Sequence, residues 1–318
     1  MPGIVILGTG GTIAGTGSDP GRSWRYQAAQ LSVEELVAAV PDLASLPIEV
    51  AQVAQVDSKD MGWSVWQALG QALQHHLARP DVAGVVITHG TDTLEETAYL
   101  LHRLVDRAKP VVLTAAMRPA TAPDADGPGN LRDAVRVVQE AARRGLGGVV
   151  AVLHGRVWSG VHVRKAHSGQ LDAFDGGGHM PLALLDACGQ WVDAATAWPA
   201  SGQMGWEVLR LSLPRVELIY SHADADGWLV DAARLHAKAN GPLDGLILAG
   251  TGHGTLHQGL QEAVRRAAAQ GVRVWRSSRV ARGGVISREG DEWPAAGDLT
   301  PPQARVALML ALLSERAS

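Results

Sequence analysis

Apolar positions along the chain fall into short β-branched runs, most of them followed by stretches with helical spacing. Ile4–Leu7 runs into a glycine-rich turn, and Ile48–Val53 precedes the helical stretch Trp63–Leu77. Val85–Thr88 leads into Thr93–Val105, Val111–Leu113 leads through a loop into Asn130–Ala142, and Val149–Leu153 forms a fifth run. Short runs of this kind, alternating with helices, predict buried strands in a mostly parallel sheet covered on both faces. The pattern weakens from 194 to 213, where Pro199, Ser201, Gly202 and Pro214 cluster, and residues 195–214 read as a linker. A second set follows: Val216–Tyr220, a helix near Leu229–Ala239, Leu246–Ala249, a helix near Leu256–Ala269, Val272–Trp275 and a last helix from Pro301 to Leu313. The fold class is therefore α/β, with a larger N-terminal domain over 1–194 and a smaller C-terminal α/β domain over 215–318. No internal repeat of fixed period appears.

Composition narrows the function. The chain has 318 residues, 46% hydrophobic and 19% charged, with a formal net charge of -4. No basic stripe stands out, which argues against nucleic acid or a membrane surface as partner. Cys188 is the only cysteine, so an internal disulfide and a CxxC metal or redox site are excluded. The apolar run at the start is four residues long, against the roughly 7–15 of a secretion signal. It reads as a buried first strand, and a cytoplasmic location is the expectation. His75 and His76 are neighbours on a predicted helix and point apart, so they read as surface residues rather than a metal pair. The ten tryptophans are scattered and read as packing.

The chemistry lies in the loops. In open α/β sheets ligands gather beyond the carboxyl ends of the strands. After the first run comes Gly8-Thr9-Gly10-Gly11-Thr12-Ile13-Ala14-Gly15, with no lysine where a phosphate loop needs one. After the second comes Val56-Asp57-Ser58-Lys59-Asp60-Met61, and after the third Thr88-His89-Gly90-Thr91-Asp92-Thr93-Leu94-Glu95-Glu96-Thr97. Asp92 or Thr93 is suited to cap the next helix, and Glu95 and Glu96 to favour its dipole. Capping leaves the preceding Thr-Gly-Thr cluster unexplained. After the fourth run comes Thr114-Ala115-Ala116-Met117-Arg118-Pro119, and Asp126-Gly127-Pro128-Gly129-Asn130 opens the following helix. Hydroxyl and acidic side chains thus converge on one edge of the sheet.

This pattern resembles the bacterial-type L-asparaginase family. Thr9–Ala14, Ile87–Thr93, Ala116–Pro119, Asp126–Pro128, Val163-Arg164-Lys165 and Arg276–Val280 carry the resemblance, in family order and across nearly the whole chain. It implies two α/β domains and a homotetramer of intimate dimers, with the C-terminal domain contributing to the neighbouring subunit's site. It also implies a catalytic set of Thr12, Tyr26, Thr91, Asp92 and Lys165. Thr12 matches a nucleophile on a mobile loop, and Tyr26, reached through Gly15–Arg25, matches the tyrosine that closes over it. Ser58 and Asp92 match ligands of a substrate's α-carboxylate and α-amine, and Ala116 a backbone contact to the side-chain amide. Gly11, Lys59, Gly90, Thr91 and His253 complete the implied binding set. No metal and no organic cofactor is implied. A threonine hydroxyl needs a base, and an oxyanion needs donors, which glycine-rich backbone can supply.

The sequence departs from the family at three places that recognise an α-amino group. Lys59 stands where glutamine or aspartate is usual, His253 stands where asparagine is usual, and the usual glutamate falls near Glu289 or Gly290. A cation at 59 would repel an ammonium by about 4 kcal/mol at roughly 4 Å and an effective dielectric near 20. Two outcomes follow: Lys59 turns away to pair with an acid, or the substrate is an amide lacking a free α-ammonium, such as an N-acyl or ureido compound. An amidotransferase subunit and a non-catalytic ligand-binding protein on the same fold are the readings from other classes.

Overall fold

A computed structural model describes residues 2–17 and 25–317. The chain forms two compact units, divided between Leu209 and Arg210.

The first unit is built on an eight-stranded sheet. Its parallel part comprises β1 (Gly3–Gly10), β2 (Ile48–Val56), β3 (Val82–Thr88), β4 (Pro110–Thr114) and β5 (Gly148–Leu153), in the order β2-β1-β3-β4-β5. Alternate side chains of these strands feed two separate cores. Ile4, Ile6, Val86, Val112, Val150 and Val152 face one layer, with Val33 and Leu36 of α1 (Val33–Ala38) and Leu131, Val135 and Val138 of α4 (Gly127–Arg144). Val5, Leu7, Val85, Ile87, Val111, Leu113 and Ala151 face the other, with Leu69 and Leu73 of α2 (Trp63–Leu77) and Leu94, Ala98 and Leu101 of α3 (Leu94–Leu104). Both faces are covered, as continuous apolar strands require.

The sheet continues beyond β5 with antiparallel strands that the apolar pattern does not predict. His154 and Gly155, both at positive φ, make a two-residue reversal into β6 (Arg156–Ser159). A separate two-stranded hairpin, β7 (Arg164–Lys165) with β8 (Phe174–Asp175), interrupts the sheet before β9 (Ala183–Leu185) and β10 (Trp191–Ala194) close it. The stretch read as a linker is partly packed onto this unit: Trp198 joins a core, and the Leu209 carbonyl accepts from Gln67 Nε2 at 2.6 Å. His76 corrects one expectation. Its ring is buried on α2, with Nδ1 3.2 Å from Arg79 Nη1, while His75 alone is exposed.

The second unit has a three-stranded parallel sheet, β11 (Val216–Tyr220), β12 (Gly245–Gly250) and β13 (Arg273–Ser278), in that order. Its helices are α5 (Trp228–Asn240), α6 (Gln258–Ala268) and α7 (Pro301–Ala317). Leu246, Leu248 and Val274 of the sheet pack with Leu260 and Val264 of α6. Two prolines open α7, where missing donors cost little. Thr300 and Gln303 cap its start reciprocally, each side chain accepting the other's backbone N–H. No helix of the described residues is long and apolar enough to cross a membrane.

In the first unit β1 lies between β2 and β3, so the chain reverses its direction of sheet growth there. The crevice at the carboxyl ends of β1 and β3 is where such sheets take ligands. Leu113 sits fully buried on a strand bordering it. Leu113→Ala should destabilise the first unit by about 2–5 kcal/mol, the cost of lost burial plus a cavity. The check is the midpoint of that unit's transition in urea, which should fall while its steepness stays the same.

Candidate active site

Three strand-end loops meet at two glycines. Gly10 ends β1 and Gly11 follows it, at φ of 101° and 84°, a region that excludes most side chains. A Cβ on Gly11 would overlap the Gly90 backbone, and one on Gly90 would lie 2.5 Å from Ser58 Oγ. The loops after β1, β2 and β3 are therefore in direct backbone or side-chain contact. Ser58 ties the second loop to the third: its Oγ accepts from Asp92 N at 3.1 Å, and its carbonyl accepts from Thr93 Oγ1 at 2.8 Å. The Gly11 N–H donates to the Val56 carbonyl at 2.9 Å. That donor is committed to holding the loop, so the glycine backbone offers an oxyanion one donor fewer than its sequence suggests.

Thr12 opens a single 3-10 turn after Gly11 and is buried. Its Oγ1 lies 2.7 Å from the Tyr26 hydroxyl. Thr16 and Gln27 pair their backbones and bring Tyr26 back over this turn. Residues 18–24 of the intervening Gly15–Arg25 loop lie outside the described residues.

Lys165 reaches the same edge from the β7–β8 hairpin. Its Nζ donates to Thr91 Oγ1 at 2.8 Å and to Asp92 Oδ1 at 2.6 Å. The lysine side chain is 19% exposed and the aspartate 53%, so the pair is open to solvent mainly at the carboxylate. Thr91 and Thr12 each directly follow one of the two touching glycines. Thr12, Ser58, Thr91, Asp92 and Lys165 are thus gathered at one end of the first unit, through Gly11 and Gly90.

Ala116 lies buried in the loop after β4. The carboxylate of Asp126 accepts the N–H groups of Met117 (3.0 Å) and Arg118 (2.9 Å), and Asn130 Nδ2 donates to the Ala115 carbonyl at 2.9 Å. Two polar residues at the start of α4 thereby fix the loop carrying Ala116. Gly127 lies close to both Ala116 and Ile13, so this loop also abuts the first one.

Lys59 points away from the ammonium-repelling arrangement. Its Nζ is 2.6 Å from Asp57 Oδ2 and 3.1 Å from Asp60 Oδ2, and the side chain is exposed. The bonds to Asp57 and Asp60 raise its pKa above the usual lysine value. The turn over 58–60 sends Ser58 inward and Lys59 outward. His253 is exposed on the Thr251–Thr255 turn of the second unit, and Glu289 is exposed in the same unit.

A buried relay behind the loop was not legible as such. Trp66 Nε1 donates to Thr97 Oγ1 at 2.9 Å, Thr97 is 2.9 Å from His89 Nε2, and His89 Nδ1 is 2.7 Å from the Gly90 carbonyl. Burial lowers the pKa of His89 to about 4, so the ring is neutral at neutral pH. Of the two neutral tautomers the partners fit one: Nδ1–H donates to Gly90, and Nε2 accepts from the Thr97 hydroxyl. The spacing of Trp66 and Thr97 on two different helices gives no periodic signal.

Residues 3–196 match the family model described as Asparaginase, N-terminal, and residues 215–317 match the Glutaminase/Asparaginase C-terminal domain. The chain belongs to the asparaginase family. L-asparaginase 2 of Bacillus subtilis strain 168 is 36% identical over 317 residues, covering 98% of this chain and 83% of that protein. A glutaminase-asparaginase of Pseudomonas fluorescens biotype A is 36% identical over 325 residues, covering 97% and 86%. Among solved structures, "Probable Cytoplasmic L-asparaginase from Campylobacter jejuni" superposes with a TM-score of 0.89 at 36% identity, over 98% of this chain and 95% of that one. The asparaginase family fold accounts for both units and for the expected α/β class.

The buried histidines give this asparaginase-family chain a pH dependence. Burial also lowers the pKa of His102 to about 4, helped by the charge of Arg103. For both rings the unfolded chain takes up a proton first, at its ordinary value of 6.5. Their stabilising effect is complete above that value and is lost as pH falls from 6.5 towards 4. Each contributes about 3 kcal/mol at most. Urea midpoints measured across this window should fall steeply, and His89→Gln should flatten the slope.

Proposed function

We propose that this protein hydrolyses the side-chain amide of L-asparagine, releasing ammonia, through an acyl-enzyme on Thr12. The observation that carries the reading is the meeting of the Thr12 and Thr91 loops at Gly11 and Gly90, with Lys165 bonded to Thr91 and Asp92. In this reading the Thr12 hydroxyl attacks the amide carbon, and Tyr26, at 2.7 Å, exchanges its proton. The amide nitrogen leaves as ammonia once protonated. A water then attacks the resulting ester, freeing aspartate and restoring the Thr12 hydroxyl. Thr91 accepts from Lys165, which leaves its own proton directed outward to orient that water or the substrate. Asp92 keeps a second carboxylate oxygen for an α-ammonium, and Ser58, Gly11, Gly90 and the Ala116 loop line the remainder. The reaction calls for no cofactor and no metal.

A substrate lacking an α-ammonium is not favoured. That alternative rested on repulsion by Lys59, and Lys59 is bonded to two carboxylates of its own turn. The names of the relatives support asparagine, with glutamine as a second amide. The reading includes a homotetramer of intimate dimers in which His253 and the C-terminal domain (215–318, after a linker over 195–214) serve a neighbouring subunit. Exposed Trp228, Leu229 and Leu235 on α5 supply apolar surface for association. A cytoplasmic location is part of the same reading, supported by the solved neighbour's name and by a single cysteine.

Ammonia release from L-asparagine tests the chemistry. Thr12→Ala should lower kcat by about 10⁴-fold or more while the variant stays folded. An unchanged rate would remove Thr12 from the mechanism, and an inactive wild type would remove the asparaginase reading. Lys59→Gln should change KM for L-asparagine by less than about threefold, because neutralised surface pairs contribute little. A large gain in affinity would show instead that Lys59 opposes the substrate.

A further inference from the structure

Lys165 carries the ammonium of the site on a strand only two residues long. A ladder that short fixes little by itself, and a lysine side chain has four rotatable bonds. Something else must hold the root of this side chain if its Nζ is to keep two bonds of 2.6 and 2.8 Å.

The hydrogen bonds of the hairpin show what does. In an antiparallel pair successive N–H groups point alternately towards and away from the partner strand. The Ala166 N–H points towards the β8 side and donates to the Ala173 carbonyl at 2.7 Å. The preceding N–H, that of Lys165, points away and donates to Glu95 Oε2 at 3.0 Å. Glu95 lies in the first turn of α3 and is buried, only 9% exposed. Three residues upstream on the same loop-and-helix entry are Asp92 and, next to it, Thr91. One five-residue segment, 91–95, therefore grips Lys165 at both ends: Thr91 and Asp92 hold the ammonium, and Glu95 holds the backbone.

We infer that Glu95 is a positioning residue for Lys165, acting through its bond to the Lys165 N–H. The inference rests on the amidohydrolase reading above. A helix-dipole role explains an acid in a first turn but not its burial nor its reach to another segment. Burying a carboxylate is costly unless it is hydrogen-bonded, and the Lys165 N–H is one of the donors that offset the cost. Losing that acceptor frees the hairpin edge, and displacement of a reacting group by about 1 Å can cost on the order of 10²-fold in rate.

The test compares Glu95→Gln, which keeps an acceptor oxygen, with Glu95→Met, which keeps the bulk and loses it. Both are assayed on L-asparagine in the full-length protein, after the wild type has been shown to release ammonia. Expected is a kcat about 10- to 100-fold lower for Glu95→Met with KM within about twofold, and recovery to within about threefold of wild type for Glu95→Gln. A residue that acts through Lys165 has nothing to position once the ammonium is gone. On a Lys165→Ala background, assayed with an activated side-chain ester of aspartate, Glu95→Met should therefore change kcat less than about twofold. The inference is overturned if Glu95→Met equals wild type, if Glu95→Gln is as slow as Glu95→Met, or if Glu95→Met costs the same factor on both backgrounds. If Glu95→Met does not fold, Glu95→Gln still decides: a folded protein slowed about 100-fold overturns the inference. Loss of all activity in the wild type would count against the amidohydrolase reading instead.

Discussion

The site depends on the approach of two main chains at Gly11 and Gly90. Side chains cannot be accommodated at that contact, so both loops must present bare backbone there. This closeness is what places residue 12 and residue 91, each one step further on, at the same end of the sheet. The cost is conformational: two consecutive glycines at positive φ lose much freedom on folding. It is offset by bonds that tie the loops down, from the Gly11 N–H to Val56 and from the Asp92 N–H and the Thr93 hydroxyl to Ser58. The same close approach therefore also needs an anchored second loop, and Ser58 serves as that anchor.

Much of this was legible in the sequence because β1, β3, β4 and β5 are buried on both faces, while β2, at the sheet edge, is only partly buried. Their apolar runs are continuous, and the loops that follow them must emerge at the edge where a parallel sheet binds ligands. Thr12, Ser58, Thr91 and Asp92 are singled out by that rule together with the family resemblance. Lys165 came from the resemblance alone, since a two-residue strand has no measurable period. The antiparallel extension was missed for a related reason: β6, β9 and β10 span three or four residues each beyond a short reversal, and the His154-Gly155 turn uses a histidine at positive φ where asparagine or glycine would signal it. His76 shows the limit of the rule that adjacent helical residues point apart. It excludes a metal pair but does not decide which of the two faces the core.

Lys59 illustrates how local pairing governs a charge argument. An isolated ammonium at that position would oppose an amino-acid substrate. Asp57 and Asp60 flank it within one turn, so the segment 57–60 carries one positive and two negative charges. Its net field on an approaching ammonium is attractive rather than repulsive. A substitution that departs from the family's usual residue is thus compatible with the family's usual substrate, and the neighbouring acids are the reason.

One buried polar chain behind the loops is neutral, and this matters for the chemistry. The Trp66–Thr97–His89 relay ends on the Gly90 carbonyl, and burial keeps its imidazole uncharged at neutral pH. With His89 neutral, the relay adds no charge beside the Lys165–Asp92 ion pair. Negative charge developing on an amide oxygen in the proposed reaction would then meet one fixed cation and oriented dipoles. These act more strongly when no second mobile charge has to reorganise as the reaction proceeds.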